Sequence, residues 1–149
     1  MEAMQMITPI RPEEFPAVVE LWEASVRATH QFLREDDIVF LRPLVLEYLP
    51  QLEVRAWRDG QGAIQGFVSV GGDRIEMLFV SPERRGGGIG RALLNYATGE
   101  LRATKLDVNE QNPQGVGFYE RMGFKVIGRS ELDGQQNPFP LLHMELGTV

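Results

Sequence analysis

Apolar residues recur along the chain with two different periods. From Pro12 to Ala28 they stand at Phe15, Val18, Val19, Trp22 and Val26, the spacing of a helix with one buried face. Met6 to Ile10, just before, reads as a short strand ended by Pro12. A second helix is expected from a cap at Asp36 or Asp37 through Tyr48, with Pro43 kinking or dividing it. From Leu52 onward the pattern shortens. Leu52 to Arg58, Ala63 to Val70 and Arg74 to Val80 read as strands, joined by the tight turns Asp59-Gly60-Gln61-Gly62 and Gly71-Gly72-Asp73. Turns this short predict an antiparallel meander.

Beyond Val80 the order changes. Ser81-Pro82 closes the strand and a glycine-rich run leads into a helix over Arg91 to Arg102, with Leu93, Leu94, Ala97 and Leu101 along one face. Thr104 to Val108 is a strand. Asn112 caps a helix that has Pro113 at its first position and stops at Met122, before Gly123. Phe124 to Gly128 and Leu141 to Leu146 are the last strands, with the loop SELDGQQNPFP between them. There is no repeat and no long linker, so 149 residues are expected to form one domain over 1–149. The element order predicts an α+β fold: a central mixed, mostly antiparallel twisted sheet with helices on both faces.

Composition narrows the function. The net charge of -6 argues against a general nucleic-acid binder, which needs a basic footprint. No cysteine is present, which removes disulfides, thiolate metal sites and cysteine nucleophiles. The opening MEAMQMITPIRPEEF lacks the basic start and apolar stretch of a signal peptide. No apolar run approaches the ~20 residues that span a bilayer. The expectation is a cytoplasmic monomer or homodimer with no membrane and no nucleic-acid partner. The only histidines, His30 and His143, lie far apart in sequence and make a weak metal site, so no metal is expected.

Arg85-Gly86-Gly87-Gly88-Ile89-Gly90 is the most informative segment. Four glycines in five positions let the backbone bend tightly and approach an anion. The free N–H groups of a helix start then face that anion, and the helix dipole favours its charge. Arg84, Arg85 and Arg91 add positive charge. Together these make a pyrophosphate cradle. It is not a Walker loop, because Gly90 is followed by Arg91-Ala92, not Lys-Ser/Thr. It is not a dinucleotide fingerprint either, because counting from Gly88 places Leu93 where the third glycine belongs.

The same residues resemble the Arg/Gln-x-x-Gly-x-Gly/Ala motif of the Gcn5-related N-acetyltransferases, the GNAT superfamily. The flanks Ile75 to Pro82 and Arg91 to Leu94 are similar to the family's fourth strand and following helix. Leu106-Asp107-Val108-Asn109, Asn112 and Phe118 to Phe124 resemble its later acetyl-CoA block. Together these cover about residues 74 to 128. Arg27 to Leu33 looks like a branch of small bacterial members.

The resemblance implies acetyl-CoA as co-substrate and a small-molecule or peptide amine as acceptor. It assigns the coenzyme pyrophosphate to the amides of Gly86, Gly87, Gly88, Ile89, Gly90 and Arg91, with Arg85 adding charge. It implies a gap beside the strand ending at Val80, where the pantetheine arm pairs with the backbone of Leu78, Phe79 and Val80. An amide near Val80 would polarise the thioester carbonyl. Asn112 would contact the coenzyme as well as cap its helix. Tyr119 is the candidate acid, since a departing thiolate needs a proton and a phenol can supply it. Its alternative is a packed aromatic. Glu76 is the candidate base; in a regular strand it shares the face of Leu78 and Val80. Its alternatives are an exposed ion pair, or a water relay that does the work instead. His30, between the first helices, and Phe32 are candidate acceptor contacts. Trp22, Phe32 and Tyr48 also read as core, and His143 as a satisfied sheet histidine.

Three readings compete. An N-acetyltransferase working by direct attack in a ternary complex comes first. A non-catalytic acyl-CoA sensor and a nucleotide-binding protein are the alternatives. Gly88→Asp is expected to abolish coenzyme A binding in calorimetry, because the new carboxylate both crowds and repels the pyrophosphate.

Overall fold

A computed structural model describes residues 6–147, so the first five residues of the opening stretch lie outside the described residues. In chain order the elements are β1 (Ile7–Pro9), α1 (Phe15–Thr29), α2 (Glu35–Tyr48), β2 (Glu53–Arg58), β3 (Ile64–Gly71), β4 (Arg74–Val80), α3 (Ile89–Gly99), β5 (Lys105–Asn109), α4 (Pro113–Arg121), β6 (Phe124–Ser130) and β7 (Leu141–Leu146). Every predicted element is present, with ends displaced by a few residues. The displacements have local causes. Pro12–Glu14 forms a single 3-10 turn, in which the Glu14 carboxylate accepts the Arg11 N–H at 2.8 Å, so α1 starts only at Phe15. In α2 the carboxylate of Asp37 lies one turn in and accepts the Arg34 N–H at 2.8 Å, rather than capping from outside. Pro43 does not divide that helix. The carbonyl it leaves without a partner belongs to Val39, which is 62% exposed, so water can satisfy it. α3 ends at Gly99 rather than Arg102, because Arg102 adopts the left-handed region (φ 61°) and turns the chain.

The seven strands form one sheet in the order β1-β2-β3-β4-β5-β7-β6. All neighbours are antiparallel except β4 and β5. One core lies between the sheet and the α3–α4 side, with Val68, Leu93, Leu106, Phe124 and Met144 at its centre. The other lies under α1 and α2 around Val18, Trp22, Leu49 and Phe67. Alternation along each strand feeds both cores: Val68 and Phe67 are neighbours in sequence and serve opposite faces.

Two local irregularities shape the middle of the sheet. β4 carries a bulge: Val70 opposes Ile75 while Ser69 opposes Met77, so Glu76 has no partner on β3. Beyond it, β4 and β5 pair only at Arg74–Lys105 and Ile75–Leu106, and then separate. On β3, Gly66 lies under the start of α3. A Cβ there would stand 2.9 Å from Ile89 Cγ2 and 3.1 Å from Leu93 Cδ1. Only a hydrogen at this position lets the helix start sit down on the sheet. Gly66→Val is therefore expected to cost about 1–3 kcal/mol by overpacking, read as a lowered midpoint in denaturant unfolding.

Candidate active site

The separation of β4 from β5 opens a cleft of about 1170 Å³ that reaches from the glycine-rich turn, between the two strands, to the side covered by α1 and α2. Its first end is the turn itself. Gly86 and Gly88 have φ of +83° and +89°, a region closed to most side chains. A Cβ on either would meet nothing within 4 Å, so both face open space. Gly88 is the N-cap of α3, and the first bond of the helix is from the Ala92 N–H to the Gly88 carbonyl at 3.0 Å. The amides of residues 89–91 therefore have no acceptor within the helix and point out of its end. The turn thus has the open backbone geometry that the sequence reading called for. Of its arginines, Arg84 is partly neutralised by Asp59 at 3.6 Å. Arg85 is steadied by Gln114 at the start of α4, its Nη2 donating to Oε1 at 2.8 Å.

The middle of the cleft is the open edge of β4. Leu78 and Val80 point to the α3–α4 core, and Phe79 points the other way, against Phe67 and His30 with ring centroids 5.9 Å away in each case. One edge of this segment pairs with β3; the other has no strand partner. An extended chain can add there as a strand would. Opposite stands α4. Asn112 caps it, its side chain accepting the Gly115 N–H at 3.2 Å, and also borders the cleft. Tyr119 lines the cleft from α4, wedged edge-on against Phe118 and Phe124 at 5.3 and 6.0 Å. Burial alone pushes its phenol far above the ordinary tyrosine value. The proton is thus firmly held at neutral pH.

The far end of the cleft holds Glu76 and His30, both singled out in the sequence, and Asp107, which was not. Glu76 lines the cleft, but not on the face of Leu78 and Val80. The bulge breaks the alternation: Ile75 and Leu78, three apart, share the α3–α4 core, and Glu76 turns toward Tyr48 and Leu52 on the other side. Its carboxyl is raised from the usual value by burial; Arg74 opposes this, Asp107 reinforces it, and the Tyr48 hydroxyl lies within reach. His30 lines the cleft with Nδ1 2.7 Å from Thr29 Oγ1, and burial lowers its pKa to about 4. It is neutral at physiological pH and a poor proton acceptor. Phe32 is not part of the cleft wall. It stands behind His30 at 5.4 Å and packs on Phe139 at 5.5 Å.

Two residues assigned to core, Trp22 and Tyr48, line the cleft, and Tyr48 is 42% exposed. Asp107 of β5 lines it too, and nothing in a single β-strand pattern distinguishes it from an ordinary solvent-facing position. His143 is satisfied in the sheet, as its apolar neighbours predicted, by Asp107 and Ser130. Among the described residues no group of three or more His, Asp or Glu could hold a metal, and no helix is long and apolar enough to cross a membrane.

Comparison with known proteins agrees with this geometry. Residues 53–147 match the family model of the acetyltransferase (GNAT) domain. The peptidyl-lysine N-acetyltransferase YjaB of Escherichia coli strain K12 is 40% identical over 134 residues, 90% of this chain and 91% of YjaB. The peptidyl-lysine N-acetyltransferase YiaC of the same strain is 31% identical over 135 residues, 89% of this chain and 92% of YiaC. The solution structure of apo YjaB from Escherichia coli superposes with a TM-score of 0.88 at 38% identity, covering 96% of this chain and 97% of that one. This chain belongs to the GNAT acetyltransferase family and is an acetyl-CoA-dependent N-acetyltransferase.

Proposed function

We propose that the protein acetylates lysine side chains in peptides or proteins, with acetyl-CoA and acceptor bound together, and that residues 1–149 act as one catalytic domain. The observation that carries this reading is the gap between β4 and β5, which runs from the glycine cradle at one end, past Tyr119, to Glu76 at the other. YjaB and YiaC, both named peptidyl-lysine N-acetyltransferases, support the choice of acceptor. So does the acidic lining at that end, which suits an ammonium group.

The chemistry needs two protons to leave the acceptor nitrogen and one to reach the departing sulfur. The acceptor must lose a proton before its nitrogen can attack, because an alkyl ammonium has a pKa of about 10. Glu76 takes that proton, directly or through water. The nitrogen then bonds to the thioester carbonyl carbon, the carbon–sulfur bond breaks, Tyr119 protonates the leaving sulfur, and the second proton of the acylated nitrogen, directly or through water, restores the phenol. The backbone of Leu78, Phe79 and Val80 holds the pantetheine arm, and the amides of Gly86 to Arg91, with Arg85, hold the pyrophosphate. Asn112 contacts the coenzyme from the head of α4. No cysteine is available to carry an acyl-enzyme, so direct attack is the simpler route. His30 shapes the acceptor wall as a neutral ring.

Incubation with acetyl-CoA and a lysine peptide should release free thiol and add one acetyl group to the lysine, read by mass spectrometry. Thermal stabilisation by acetyl-CoA with no thiol release on any amine would instead make the protein a sensor. Tyr119→Phe is expected to keep coenzyme affinity in calorimetry and to lower kcat by about 10²–10⁴. Glu76 acts as a base only when ionised, and its raised pKa moves the acid limb of the kcat/KM profile upward. Glu76→Gln should flatten that limb as well as slow turnover; an unchanged limb would leave the proton to a water relay.

A further inference from the structure

Asp107 has no part in the proton transfers of Glu76 and Tyr119, yet it stands beside them. On β5, Leu106 and Val108 enter the α3–α4 core, so Asp107 faces the opposite side, where it borders the cleft near Glu76. Two side chains converge on it, and a third supports one of them. Arg74 of β4 donates from Nη1 to Asp107 Oδ1 at 3.0 Å. His143 of β7, directly opposite in register, places Nδ1 2.6 Å from the same oxygen. The other ring nitrogen of His143 is 2.6 Å from Ser130 Oγ on β6. Gly128, opposite His143 on β6, leaves room for this: a Cβ there would already lie 3.5 Å from the ring.

Both contacts to Asp107, from Arg74 and from His143, fall on Oδ1. Among the described residues, Oδ2 of Asp107 has no hydrogen-bond partner. A carboxylate fixed through one oxygen, on a residue that borders a cleft, keeps its other oxygen able to receive a donor from a ligand. The Asp–His–Ser order also occurs in nucleophilic triads, but here it is reversed with respect to the cleft. The carboxylate borders the cavity and Ser130 does not, so the array offers an anchor and not a nucleophile.

We propose that Asp107 is a specificity-determining residue that binds the acceptor ammonium through Oδ2, with Arg74 and the His143–Ser130 pair as positioning residues that fix its rotamer. The inference rests on the lysine-acetylating reading of the cleft. It adds that the enzyme selects cationic primary amines over uncharged nucleophiles of the same shape. Arg74 and His143 touch neither substrate; they act by holding the carboxylate still, which lowers the ordering cost when the acceptor binds.

The test compares two acceptors: a lysine peptide, and the same peptide carrying an aminooxy side chain, which is uncharged at neutral pH. Wild-type activity on the lysine peptide is measured first; its absence would remove the underlying reading and leave Asp107 as a sheet ion pair. Given that activity, Asp107→Asn should raise KM for the lysine peptide about tenfold or more, the loss of one charge-assisted hydrogen bond. Its acetyl-CoA affinity and its rate on the aminooxy peptide should be unchanged. Asp107→Ser is the second variant should the amide disturb the sheet. His143→Leu should raise KM in the same selective way, and His143→Gln, which keeps a donor for Oδ1, should restore most of it. If both Asp107 variants lower the two acceptors equally, or neither, the assignment is overturned.

Discussion

The structure depends on a ladder that stops early. β4 and β5 are the only parallel neighbours in the sheet, and they bond at two residue pairs before parting. Parallel pairing is slightly weaker per residue than antiparallel pairing, and the bulge at Glu76 increases local twist at the point where it ends. Each half of the sheet keeps its own strong antiparallel pairing, so the loss is confined to this seam. What results is an opening through an otherwise closed layer, with main-chain groups along one wall that have no strand to bond.

Everything chemical is arranged around that opening. The first turn of α3 sits at one end because Gly66 lets it approach the sheet and because Gly86 and Gly88 let the chain reverse before it. α4 brings Tyr119 to the middle, where desolvation keeps the phenol protonated. At the far end, the same bulge that ends the pairing turns Glu76 out of the strand's alternation and toward Tyr48. One irregularity in one strand thus opens the cleft and aims a carboxylate into its far side. Acyl transfer to an amine has a use for both consequences.

The elements themselves were legible because their signals are local. Helical spacing at Phe15, Val18, Trp22 and Val26 requires nothing beyond the residues concerned, and each of the last three is buried as expected. The glycine run, Asn112 with Pro113, and the two tight turns state their backbone conformations outright. Element ends were less legible: the 3-10 turn before α1, the survival of α2 through Pro43 and the early end of α3 each depend on a neighbouring contact or on access to water. Tyr48 read as core but is exposed at the cleft wall, whereas Trp22 is core and borders the cleft as well, because aromatic residues serve core and cavity walls alike.

The sequence by itself determined the order of strands and helices, the glycine-rich turn at Arg85 to Gly90, the placement of Tyr119 on the helix after Asn112, and the absence of any cysteine. These are properties of contiguous residues, whose backbone and side-chain chemistry act over a turn or less. Only the tertiary structure decided which face Glu76 occupies, because a bulge is a mismatch between two strands and has no mark on one of them. Only it brought Asp107, His143 and Ser130 together, since strand order β5-β7-β6 is set by how the sheet closes its cores and not by position along the chain. Register is a relation between distant segments, and the far end of the cleft is assembled by register.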